Sequence, residues 1–152
     1  MTDRPPALAR LFAIAYRSLV DQMHGLLRER GWDDVRPAYG FVLLAARSAP
    51  TTSTDLAALM GTTKQAASKL VDSMEAAGLV TRDQSAEDAR LRPVALSARG
   101  RRLLEEVEAI YDEIEARWSA AIGEEAVDRL RADLVTVLTQ PDGTLPPVRP
   151  TW

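Results

Sequence analysis

The sequence predicts a mainly α-helical chain with one small two-stranded β-ribbon set among its helices. Three observations carry this. Apolar residues recur three and four apart through most of the 152 residues. That spacing lapses once, between Leu79 and Leu96, where two short extended runs flank a polar turn. Glycine, proline, serine and threonine fall at the joints, where helices start and stop.

From Ala7 to Arg30, the apolar residues Leu8, Leu11, Phe12, Ala15, Leu19, Met23, Leu26 and Leu27 form a helical stripe. Pro5 and Pro6 suit its start and Gly31 its stop. A second helix is expected from near Pro37, apolar on nearly every side (Tyr39, Phe41, Val42, Leu43, Leu44) and ended by Pro50. Thr52 with Asp55 fits a capping box, opening a brief helix over Leu56–Met60 that Gly61 closes. Thr62 and Thr63 offer the next N-cap. The helix they open runs to Ala77, with Ala67, Leu70, Val71 and Met74 inward and Lys64, Gln65, Ser68, Lys69 and Asp72 outward. Gly78 fits the residue just past its end.

Leu79–Arg82 and Arg92–Leu96 then read as two strands around a polar turn. Pro93 cannot donate to a ladder, so the return strand is expected to be an edge or to carry a bulge. Ser97 caps a long helix with Leu103, Val107, Ile110, Ile114 and Trp118 on one side, and Gly123 breaks it. Val127, Leu130, Leu134 and Val137 mark a last helix, before a Pro-rich tail over 141–152.

Composition narrows the chemistry. With no cysteine and one histidine, His24, there is no thiolate or clustered-histidine metal site, and no cofactor is expected. No nucleophile–base pair or Gly-rich phosphate loop stands out, so no enzyme is expected. No apolar run is long enough to span a bilayer, and the opening residues lack a basic-then-apolar leader, so a cytoplasmic protein is expected. The net charge of −3 is uneven. Residues 47–102 hold nine Lys/Arg against six Asp/Glu, while the rest holds ten against sixteen. A basic middle between acidic ends suits a local anion-binding surface.

Two helices joined at a short glycine-containing turn and followed by a ribbon make a winged helix-turn-helix. In that motif the second helix enters the DNA major groove, and only its solvent-facing residues reach base edges. Here those are Lys64, Gln65, Ser68 and Lys69, polar and clustered in the first half of the helix. The same four would also suit a solvated helix face; their place in the motif favours base readout. Thr62 and Thr63 stand at the helix N-terminus, where backbone N–H groups favour a phosphate. Arg90 and Arg92, assigned to the ribbon tip, would reach the adjacent minor groove or its phosphates. Arg47, Arg82, Arg99, Arg101 and Arg102 are further candidates for phosphate contacts.

The stretch DLAALMGTTKQAASKLVDSMEAAGLVTR, with EDARLRPVALSARG after it, resembles the MarR family of bacterial transcription regulators. The wing signature of that family falls on Asp88, Arg90, Leu96, Ser97 and Gly100; Pro93 departs from its pattern. The resemblance implies that Asp88 holds Arg90 and that Arg90 enters the minor groove. It implies one unit over 1–140, with a winged helix-turn-helix at 37–103 and dimerisation helices at 7–36 and 104–140. The apolar surplus on both end helices fits such a partner. The function implied is a homodimeric repressor on double-stranded DNA at a pseudo-palindromic operator. Its release would come from a small aromatic or phenolic effector, in a cleft for which Tyr16, His24, Tyr39 and Trp118 are the candidates, with Trp32 and Phe41 beside them. The alternative is a winged-helix dimer that has lost DNA binding and serves as a ligand-binding or protein-interaction module.

Overall fold

The computed structural model describes residues 5–84, 87, 88 and 92–148. Among the described residues, six helices and one two-stranded sheet follow in order: α1 (Leu8–Glu29), α2 (Tyr39–Ala45), α3 (Ser53–Met60), α4 (Lys64–Ala76), β1 (Val80–Arg82), β2 (Val94–Leu96), α5 (Ala98–Ile122) and α6 (Glu124–Leu138). This is the mainly helical, winged architecture that the periodicity predicts. No helix among the described residues is long and apolar enough to cross a membrane.

Local chemistry places most boundaries. The Thr52 hydroxyl accepts from Asp55 N–H at 3.1 Å to open α3, and the Thr63 hydroxyl accepts from Ala66 N–H at 3.1 Å to open α4. Thr62 instead finishes α3, its N–H donating to Ala57 O at 3.0 Å. At the end of α4, Gly78 takes φ +71°. That left-handed turn lets Leu79 N–H reach Met74 O and Gly78 N–H reach Glu75 O, both at 2.9 Å, closing the last carbonyls of the helix. Ser97 joins two elements: its hydroxyl accepts from Gly100 N–H to cap α5 and donates to Gly78 O.

Two details differ from expectation. Helix α2 ends at Ala45, well before Pro50. The chain turns back there so that Thr51 can exchange both backbone hydrogen bonds with Val94, at 2.9 and 2.7 Å. That bridge covers the outer side of β2 at Val94, so the strand is not a bare edge at that point. Pro93 forms no bulge. It stands just before β2, and its carbonyl accepts from Asp83 N–H at 3.0 Å. Lacking an N–H, Pro93 cannot return the bond, and the ladder stops at the Arg82–Val94 pair.

The core gathers around α5. Leu103, Ile110 and Ile114 are fully buried against Leu27 of α1, Val42 and Leu43 of α2, and Leu56, Val71 and Met74 of α3 and α4. In α1, only Met23 and Leu27, both in its second half, are buried; Leu8, Leu11, Phe12 and Ile14 are exposed. In α6, only Val127 is buried.

Candidate nucleic-acid interface

Helix α4 turns Ala67, Val71 and Met74 into the core. Because a helix advances about 100° per residue, Lys64, Gln65 and Lys69 then face solvent, with Ser68 half-buried at the shoulder. The reading face predicted from the sequence is thus presented outward. Thr63 is exposed, but its hydroxyl is committed to the cap. Thr62 is half-buried and shifted to the end of α3.

Beside this face lies an open groove of about 370 Å³ between α3, α4 and the base of the ribbon. Ser53, Thr54, Lys64, Gln65, Ser68, Arg82 and Arg92 line it. Lys64 and Arg92, with three hydroxyls and an amide, suit an anion with several acceptor oxygens. Ser53 and Thr54 did not stand out in the sequence as site residues. Their signal is the polar run that opens α3, which also places the cap.

Arg92 lies in the segment that joins β1 to β2. It stands two residues before β2, half-buried against the groove, and its Nε is buried without a hydrogen bond among the described residues. Asp88 is exposed. Arg90, the residue expected to enter the minor groove, lies outside the described residues.

The other arginine candidates divide. Arg47 pairs with Glu108 of α5 at 2.7 Å. Arg99 lies over the Trp32 ring, 4.7 Å from its centroid, and 3.5 Å from Asp34. Arg82 pairs with Asp72 and, at 3.5 Å, with Glu75, and donates to Ser68 O at 3.3 Å. These three brace the fold. Arg101 and Arg102 are exposed on the first turns of α5.

The aromatic candidates do not gather into one cleft. Tyr39 is core, with its hydroxyl satisfied by Ser73 Oγ at 2.6 Å, and Phe41 is buried beside it. Tyr16 is exposed on α1, and Trp118 and Trp32 are packed partly buried against the core. Neither the groove beside α4 nor a shallow one along α1 is lined by any of them. Tyr16 does approach Tyr111 of α5, whose phenol is pushed above its ordinary value by burial first and by Tyr16 second.

His24 is half-buried, and its Nε2 makes no hydrogen bond among the described residues. Burial, and then Arg28, hold its imidazole below the ordinary value, against Asp21. The fold therefore favours the neutral ring. Below the ordinary value the unfolded chain binds the proton more readily, so stability falls as the pH drops through that range. Between about pH 7 and about pH 5.5, urea unfolding is expected to show a smaller loss of stability for His24→Gln than for the parent. Equal losses would remove His24 from the acid response.

Comparison with known proteins fits this geometry. Residues 34–91 match the family model for the MarR family. Among solved structures, a MarR-family transcriptional regulator from Rhodococcus sp. RHA1 is similar, at 24% identity over 86% of this chain and 92% of that one, with a TM-score of 0.64. A MarR family protein from Bacillus stearothermophilus gives 21% identity over 86% and 89%, with a TM-score of 0.70. The S. aureus MepR–DNA complex gives 24% over 88% and 96%, with a TM-score of 0.65. No curated protein matches the sequence. The resemblance carried by the helix-turn-helix and wing motifs is thus borne out over 34–91, and the fold over most of the chain.

Proposed function

We propose that this chain is a sequence-specific DNA-binding transcription regulator, working as a homodimer and not as an enzyme. The observation that carries the reading is the outward face of α4, where Lys64, Gln65, Ser68 and Lys69 stand beside a groove with Arg92 and two α3 hydroxyls. Lys64, Thr54 and Ser53 suit phosphate oxygens, which fix register; Gln65 and Lys69 suit base edges, which carry sequence. The similarity to S. aureus MepR, solved in complex with DNA, supports DNA binding by this chain. Asp88 and Arg90 would complete the interface from the wing, with the DNA-binding unit at 37–103 and the dimerisation helices at 7–36 and 104–140. Such a regulator works where the chromosome is, in the cytoplasm.

Two copies related by a two-fold axis would present their α4 helices to half-sites about 10 bp apart. Occupying such a site blocks transcription, which makes repression the expected sense. A small aromatic or phenolic effector would release the DNA by binding the non-binding conformation more tightly.

Selection of bound duplexes from a random pool tests the reading. A pseudo-palindromic consensus is expected, with affinity falling steeply in salt at a log–log slope of about −0.9 per neutralised phosphate. A protein that selects nothing and shows a flat salt response is instead the ligand-binding or protein-interaction module. On the selected operator, Gln65→Ala and Lys69→Ala are each expected to cost about 1–3 kcal/mol and to relax preference at one position. Arg90→Ala should weaken binding to all duplexes together; undiminished affinity would remove the wing from the interface.

A further inference from the structure

We propose that Arg82 is a positioning residue that fixes the roll of α4 from the base of the wing, and that it does not itself hold a phosphate. The proposal rests on the DNA-reading function given above. Arg82 ends β1, and its side chain is only 15% exposed although it is a cation at the rim of a polar groove. Its guanidinium pairs with Asp72 and Glu75 through Nη1 and donates to the Ser68 carbonyl through Nη2. Those three partners lie on one face of α4, at spacings of four and three.

They also lie one residue beyond Ala67, Val71 and Met74, the stripe that α4 buries. One residue is a rotation of about 100° around the helix axis. Helix α4 is therefore gripped along two lines, one apolar against the core and one ionic against β1. An apolar stripe alone resists separation far better than rolling, because dispersion contacts are non-directional. The planar fork of an arginine, by contrast, is directional.

The lever is short and the tolerance small. Side-chain tips stand about 5–6 Å from a helix axis, so a roll of about 10° moves them by roughly 1 Å. A hydrogen bond to a base edge survives only a few tenths of an ångström of misplacement. Gln65 and Lys69 therefore depend on the roll angle, whereas phosphate contacts made by flexible cations do not. Two carboxylates also neutralise Arg82 where it stands, so a phosphate would have to compete with both.

The test uses the full chain, the operator selected by the parent and an unrelated duplex. Arg82→Lys keeps the charge and loses the fork. It is expected to bind the unrelated duplex within about twofold of the parent, with an unchanged salt slope. Its preference for the operator should fall about tenfold. A general loss of folded protein would lower both duplexes equally and leave that ratio alone, which would overturn the proposal. So would Arg82→Lys at full operator preference with Arg82→Gln losing about 0.9 of salt slope for each subunit, the signature of a phosphate contact. Asp72→Asn leaves Arg82 in place and removes its partner, and should lower operator preference in the same way. Undiminished preference in that variant overturns the proposal even if both Arg82 variants fold poorly. A parent protein that selects no operator would end the DNA-reading function itself, an outcome separate from all of these.

Discussion

Gly100→Ala is expected to destabilise the chain by roughly 3 kcal/mol, lowering the melting temperature by roughly 6–12 °C. A Cβ at this position would stand 2.0 Å from Leu79 O and 3.1 Å from Leu79 C, with Leu96 Cβ at 3.5 Å. The near atoms are backbone, and that backbone is held at both ends. Leu79 N–H closes the end of α4 on Met74 O, and Leu79 O accepts from Ser97 N–H at 3.0 Å. Relief would need α5 to move away from the start of β1, which breaks the Ser97 bonds to Gly78 and Gly100. Helix propensity acts in the opposite direction, since alanine gains about 1 kcal/mol over glycine in a helix interior. The sign of the shift therefore decides between the two effects. Thermal unfolding at fixed protein concentration measures it, and an unchanged or raised melting temperature would show that α5 does not approach Leu79 this closely. Gly100 is also among the residues that carry the family resemblance; the approach of α5 to the β1 backbone gives a physical reason for glycine there.

What could be read from the sequence was what local chemistry decides. The ends of α3 and α4 follow from Thr52, Thr63 and Gly78, each acting within a few residues of itself, and the structure keeps all three roles. The outward face of α4 follows from a spacing of three and four. What could not be read depends on partners distant in sequence. Whether Arg82 faces a phosphate or the carboxylates of α4 is decided by where β1 lies, and β1 is set by its pairing with β2. The resemblance makes Tyr39 a cleft candidate; Ser73, 34 positions away, satisfies its hydroxyl inside the molecule. Helix α2 stops early because Thr51 bonds to Val94, a contact no periodicity records. Of the wing signature, Leu96, Ser97 and Gly100 are explained by the α4–α5 junction. Asp88 is placed, and Arg90 lies outside the described residues.

Val137→Asp and Phe12→Asp are each expected to turn a dimer into a monomer and to abolish tight operator binding without unfolding the chain. Val137 is 79% exposed, Leu8 68% and Phe12 45%, all on the two end helices proposed to meet a second copy. Apolar surface of that extent on a chain of this length calls for a partner. The chain's own core does not need these residues: Leu27, Ile110 and Ile114 are buried without them. A carboxylate placed there costs little in the isolated chain, where water reaches it. Placed in an apolar interface, it would be buried without a counter-ion, a penalty large enough to separate the subunits. Losing the second subunit also removes the second half-site, which multiplies affinity by about 10²–10⁴ through effective concentration alone. Light scattering should show the parent at twice the chain mass and both variants at one, with melting temperatures close to that of a dilute, dissociated parent. Binding to unrelated duplexes should fall far less than operator binding, because each α4 face remains intact. A parent that runs as a single chain at micromolar concentration, or an aspartate variant that stays dimeric and holds its operator, would place the two-fold contact elsewhere on the molecule.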